Sequence, residues 1–162
     1  MSYTLSAIFF DLKTDYNMSC TEQNFALIGK IEAFGLEELT TTFNHYIPKR
    51  TVKISEVGEM GGKLVPLHPK SARLAETTVS GRGGSGYEVS LTWQVHRASE
   101  ADIAMLEELK HNAKHLKITA FGDAVGYILA DEDHYRMDYQ RNGELIECSV
   151  KVCSVNGIQQ LV

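Results

Sequence analysis

Hydrophobic and polar positions alternate most cleanly in the second half of the chain. In "GYEVSLTWQVHR", Tyr87, Val89, Leu91, Trp93 and Val95 take turns with Glu88, Ser90, Thr92, Gln94 and His96. A period of two predicts a strand with one buried and one polar face. Ser99-Glu100-Ala101-Asp102 follows as a capping-box start with Asp in place of the usual Glu. Ile103, Leu106, Leu109 and Ala113 then recur at helical spacing, and Lys110 and Lys114 suit the C-terminal end of the helix dipole.

After the helix, "HLKITAF" reads as a strand with Leu116, Ile118 and Ala120 on one face, and Gly122-Asp123 turns the chain into the apolar strand "AVGYILA". Asp131-Glu132-Asp133 makes a charged turn into "HYRMDYQ", where Tyr135, Met137 and Tyr139 alternate with His134, Arg136 and Asp138. Asn142-Gly143 predicts a type I′ hairpin. The return strand "LIECSVKV" places Ile146, Cys148, Val150 and Val152 inward, and Asn156-Gly157 offers a further turn.

The first half is less sharply written. "YTLSAIFF", "FALIGKIEAF" and "KRTVKISEV" read as strands, whereas residues 58–86 combine glycines, prolines and small polar residues with little period. That stretch is expected to be an extended loop or arm, since long segments without their own pattern are usually functional or disordered. Within it, Leu64, Val65, Leu67 and Leu74 are the apolar positions that would be buried against a neighbouring subunit if the chain forms a ring, with Arg73 and Arg82 meeting that subunit's acidic surface. The pattern predicts an α+β fold: one domain over residues 1–162, mainly antiparallel β-sheet or sandwich, with one packed helix and the arm.

Composition sharpens this in three ways. A chain of 162 residues with 43% hydrophobic and 23% charged residues can bury a full core. A net charge of -5 argues against a basic nucleic-acid grip. No apolar run approaches the roughly 20 residues that span a bilayer, and the start, with Asp11 soon after a short apolar patch, does not read as a secretory signal. Cys20, Cys148 and Cys153 are odd in number and lack framework spacing, so reduced thiols are expected.

Candidate chemistry is thin. The cluster Gly81-Arg82-Gly83-Gly84-Ser85-Gly86 lacks the Lys-Ser/Thr ending of a phosphate loop and precedes a strand, so a flexible hinge is expected. His111 and His115 stand at the i, i+4 spacing of a helical metal pair but lack a third ligand, and solvent-facing positions at the helix end are expected. Asp131, Glu132, Asp133 and His134 lack calcium-loop spacing. Cys148 sits on the apolar side of its strand and Cys153 on the other, with no local histidine to activate either. No catalytic, cofactor-binding or metal-binding residues are expected, and no enzyme activity.

The order of elements over residues 80–155 resembles phage tail-tube and baseplate proteins, and is similar to the tail protein U family of contractile-tailed phages. The resemblance rests on the strand Tyr87 to Val95, the helix with "MLEELKHNAKHL", the "F-G-D" turn with "GYILADED", and the hairpin through Asn142-Gly143. It implies a virion structural protein made in the host bacterial cytoplasm and placed in the tail. It also implies a homo-oligomeric, six-fold ring that meets other tail proteins and passes DNA only as cargo. Glu88, Thr92, Gln94, Arg136, Asp138, Glu147 and Lys151 would face a mixed, overall acidic lumen. A small-molecule-binding β-rich module is the alternative, and a small hydrolase-like enzyme a third.

Overall fold

The computed structural model describes residues 4–5, 8–9, 27–36, 51–52, 62–81, 84–154 and 156–161. The strands are β1 (Thr4–Leu5), β2 (Ile8–Phe9), β3 (Ile28–Gly35), β4 (Thr51–Val52), β5 (Lys63–Leu64), β6 (Arg73–Gly81) and β7 (Gly84–His96). Helix α1 (Glu100–His111) follows, then β8 (Lys114–Ala120), β9 (Val125–Ile128), β10 (Tyr135–Asn142), β11 (Leu145–Ser154) and β12 (Ile158–Leu161). This is the α+β architecture that the periodicity predicts.

Alternation builds the first sheet, in the order β10-β11-β7-β6, all antiparallel. Val89, Leu91, Trp93 and Val95 of β7 pair with Val152, Val150, Cys148 and Ile146 of β11, and all eight are buried. Each large apolar side chain removed from water in this way contributes about 1.5–3 kcal/mol. A second, six-stranded sheet runs β4-β12-β9-β8-β3-β5, antiparallel except for the β4–β12 pair. It contributes Ile28, Ile31, Leu116, Ile118 and Ile128 to the same hydrophobic cluster. The two sheets therefore share one core.

Backbone polar groups tie the sheets together at their margins. Val65 N–H donates to Ile31 C=O at 2.9 Å, and three residues on, His68 N–H donates to Gln94 C=O at 2.8 Å. The segment after β5 thus leaves one sheet and lands on the other. Ser71 Oγ accepts from Gln94 N–H at 3.1 Å, and the Glu76 carboxylate of β6 accepts from Ile158 N–H of β12 at 2.8 Å.

The helix spans the gap between the sheets. Both halves of the expected capping box form: Ser99 Oγ accepts from Asp102 N–H at 3.2 Å, and Asp102 Oδ2 accepts from Ser99 N–H at 3.0 Å. Leu106 and Leu109 are fully buried, and Tyr135 Oη donates to Leu109 C=O at 2.8 Å. Tyr139 Oη donates to Glu107. On the other side, Glu108 meets Lys63 at 3.1 Å and Lys114 at 2.9 Å, joining α1 to β5 and β8. The two lysines, Lys114 first, hold the Glu108 carboxyl below its ordinary value of 4.5.

Three expectations are corrected. The helix ends at His111 with Asn112 as an extended C-cap, so Ala113, Lys114 and His115 do not continue it. Pairing of β8 with β3 on one side and β9 on the other overrides the helical spacing there. The β10–β11 hairpin forms, but Asn142 pairs with Leu145, so the two-residue loop is Gly143-Glu144. Only Gly143 has positive φ there, 64°, the pattern of a II′ turn. Finally, much of the expected loop over residues 58–86 is strand: β6 pairs with β7 from Arg73↔Thr92 to Gly81↔Gly84. Its alternation is hard to read because Glu76 and Thr78 occupy positions where core residues would signal a strand. Residues 58–61 and 82–83 lie outside the described residues.

Two outcomes test this fold. Gly143→Val forces a β-branched residue to positive φ and is expected to destabilise by about 1–3 kcal/mol, lowering Tm by about 2–4 °C for each kcal/mol. An unchanged Tm would refute the turn assignment. Glu108 is expected to add acid sensitivity. Because its folded pKa lies below its unfolded value, its stabilisation is complete above the unfolded carboxyl range and is lost as pH falls through the folded pKa. Denaturant melts of Glu108→Gln should show a shallower fall in stability from neutral pH into that acid range than the parent protein.

Candidate functional site

With one face of β10-β11-β7-β6 in the core, strand parity turns every second side chain outward. The register arranges those side chains in rows across the sheet. One row runs Ala75, Ser90, Lys151, Arg136; the next runs Arg73, Thr92, Ser149, Asp138; a third carries Gln94, Glu147 and Gln140. Over the last two rows the sheet is concave, with a volume of about 520 Å³ whose lining includes Ser71, Arg73, Gln94, Asp138, Gln140 and Glu147.

All seven residues expected to face a lumen, Glu88, Thr92, Gln94, Arg136, Asp138, Glu147 and Lys151, lie on this one outward face. The sheet brings them together from three strands. The face is not acidic overall, however. Its three carboxylates, Glu88, Asp138 and Glu147, are matched by Arg73, Arg136 and Lys151. Arg136 stands directly opposite Lys151, an arrangement that works against sheet stability.

The expected subunit-contact set divides. Leu64 is 64% exposed on β5 and Arg73 is exposed at the start of β6. Val65 is only 2% exposed and belongs to the core, against which Leu67 and Leu74 also pack. Those three are taken up by the chain's own interior because the crossover after β5 and the β6–β7 pairing carry them onto it. Arg82 lies outside the described residues.

Two unpaired edges bound the site. Among the described residues, β6 pairs only with β7 and β10 only with β11. The nine residues of β6 include no proline and no lysine; Arg73 and the inward-pointing Glu76 are the charges that guard this edge. Beyond Thr77, the β6–β7 hairpin leaves the core: Thr78, Val79 and Ser80 are all exposed. Sequence reasoning missed β6 as an edge, and its only signal was the run Thr77-Thr78-Val79, rich in β-branched residues.

The remaining candidates have structural tasks. His111 is exposed and lies 3.5 Å from Glu107. His115 is buried in β8, where Nδ1 accepts from Ala130 N–H at 2.9 Å, so the two histidines do not share a helix face. Asp131 caps a short 3₁₀ turn, accepting from His134 N–H at 2.9 Å. Gly81 and Gly84 close the paired part of the hairpin. His68 and His96 stack with ring centroids 3.7 Å apart, a contact no local sequence pattern announces. Among the described residues, no group of three His, Cys, Asp or Glu is placed to hold a metal ion, and no helix is long and apolar enough to cross a membrane.

No family model matches the chain, and no curated protein or solved structure matches it either.

Cys148 and Cys153 are both free and point to opposite sides of β11. Burial leaves Cys148 3% exposed and pushes its thiol up to about 12. In native protein, a thiol reagent in mildly alkaline buffer should modify Cys153 and spare Cys148 until denaturant is added. Peptide mapping by mass spectrometry reads both sites, and native labelling of Cys148 would contradict its place in the core.

Proposed function

We infer that this chain is a structural, non-enzymatic subunit that joins copies of itself into a ring, within a phage tail or related contractile injection machine. The observation that carries the reading is a four-stranded antiparallel sheet with one polar face and, among the described residues, an unpaired strand at each edge. Four alternating strands leave β6 and β10 running in opposite directions. A copy rotated beside the first therefore presents β10 antiparallel to β6, and head-to-tail joining continues the ladder without a reversal. A heterologous joint of this kind closes into a ring when the rotation allows.

In such a ring the outward polar faces line the inside. Their balanced charge gives DNA no net electrostatic hold, as suits passing cargo rather than a bound partner. The projecting end of the β6–β7 hairpin is left to meet an adjoining ring or another tail protein. What suggests this setting is the resemblance of the element order over residues 80–155 to tail-tube and baseplate proteins, and a sandwich of two sheets would provide a wall. The concave surface favours a small-molecule-binding module as the second reading.

Mass photometry across a concentration series, followed by negative-stain imaging, tests the proposal. Closed rings of uniform size are expected. A monomer at every concentration up to the solubility limit overturns the reading, and retention of a small molecule by that monomer in native mass spectrometry would favour the second.

A further inference from the structure

The charges at the two open edges are not interchangeable. On the outward side of β6, Arg73 is the only charged residue among Arg73, Ala75, Thr77 and Val79. On the outward side of β10 the sequence reads Arg136, Asp138, Gln140, a cation, an anion and a neutral amide. Arg73 and Asp138 begin and end the same row, with Thr92 and Ser149 between them. Three strand spacings separate them, about 14 Å, so they do not pair within one chain.

Neither residue has a partner of opposite charge among the described residues. The Arg73 guanidinium donates through Nη1 to the Lys70 and Ala72 carbonyls, each at 2.9 Å, which fixes it at the rim of the sheet. Asp138 is exposed, with Ser149 as its cross-strand neighbour.

We propose that Arg73 of one copy and Asp138 of the next form the ion pair that sets the register of the β6–β10 joint. This rests on the ring reading above and names the contact that specifies it. Antiparallel pairing with Arg73 opposite Gln140 matches Arg73 through Thr78 with Gln140 back to Tyr135. It keeps outward residues with outward ones and leaves the hairpin end free. The guanidinium then lies diagonal to the Asp138 carboxylate, within reach of a long side chain. A slip of two residues one way sets Arg73 directly opposite Asp138; a further two set it opposite Arg136, where like charges meet and little of the ladder overlaps. A slip of one residue would point every apolar side chain of the joining strand to the wrong face. The charge pair thus leaves two of the registers that parity allows, and the longer ladder of the two sets Arg73 opposite Gln140.

Charge reversal tests this with the full chain. Arg73→Asp and Asp138→Arg should each raise the concentration for half-assembly by at least about tenfold, since each sets like charges across the joint. The double variant restores opposite charges in exchanged positions and should assemble within about twofold of the parent protein. An equimolar mixture of the two single variants should also assemble, because every alternating joint then carries one Arg and one Asp. Melting curves check folding; if a reversal unfolds the chain, Arg73→Gln, Asp138→Asn and their combination replace it in a double-mutant cycle, where no coupling between the sites overturns the proposal. If the parent forms rings but the single reversals assemble as well as it does, or the double reversal is no better than either, the pair is refuted and the ring reading stands. If the parent never assembles, both fall.

Discussion

The fold depends on β7 being paired along both sides while one of its faces is buried. β6 and β11 satisfy its backbone groups, and Val89, Leu91, Trp93 and Val95 meet the second sheet across a shared core. Once that strand is fixed, its register fixes its neighbours, because a shift of one residue would turn their apolar side chains to solvent. The polar face is the unavoidable counterpart of the buried one. What functional surface the described chain displays is therefore a consequence of how its core is made.

Around that strand, the ends of the sheets are held by polar contacts rather than by more apolar area. The crossover after β5 is pinned through Val65 and His68 to backbone carbonyls on two different sheets. Glu76 carries a carboxylate from β6 to the backbone of β12, and Glu108 draws lysines from β5 and β8 onto the helix. The first two kinds of contact tie the four-stranded sheet to the six-stranded one, and the third ties the helix to the six-stranded sheet. The open edge of β6 is a hazard in an isolated protein and an asset in one that assembles.

Much of this was legible in the sequence wherever a strand had one buried and one wet face. The alternation through β7, β10 and β11 displayed their inward residues, and Ser99 with Asp102 marked the helix start, because both are local patterns. The same alternation assigned the seven outward residues to the wet sides of their strands. It could not say which of their charges would stand side by side, so a face expected to be acidic proved balanced once Arg73 entered it from β6.

Three features were settled only by tertiary structure. β6 looked like a loop because two of its inward positions carry Glu76 and Thr78, leaving period two without its apolar signal. The helix stopped at His111 although Ala113 kept the helical spacing, because two strands competed for the residues that follow. His115 sits in the core for the same reason, its ring satisfied by a backbone N–H that only folding brings near. By itself the sequence determined the faces of the strands, since side-chain direction is set by backbone geometry within a few residues. Which strands became edges, and which charges stand on them, depended on pairing between residues far apart in the chain.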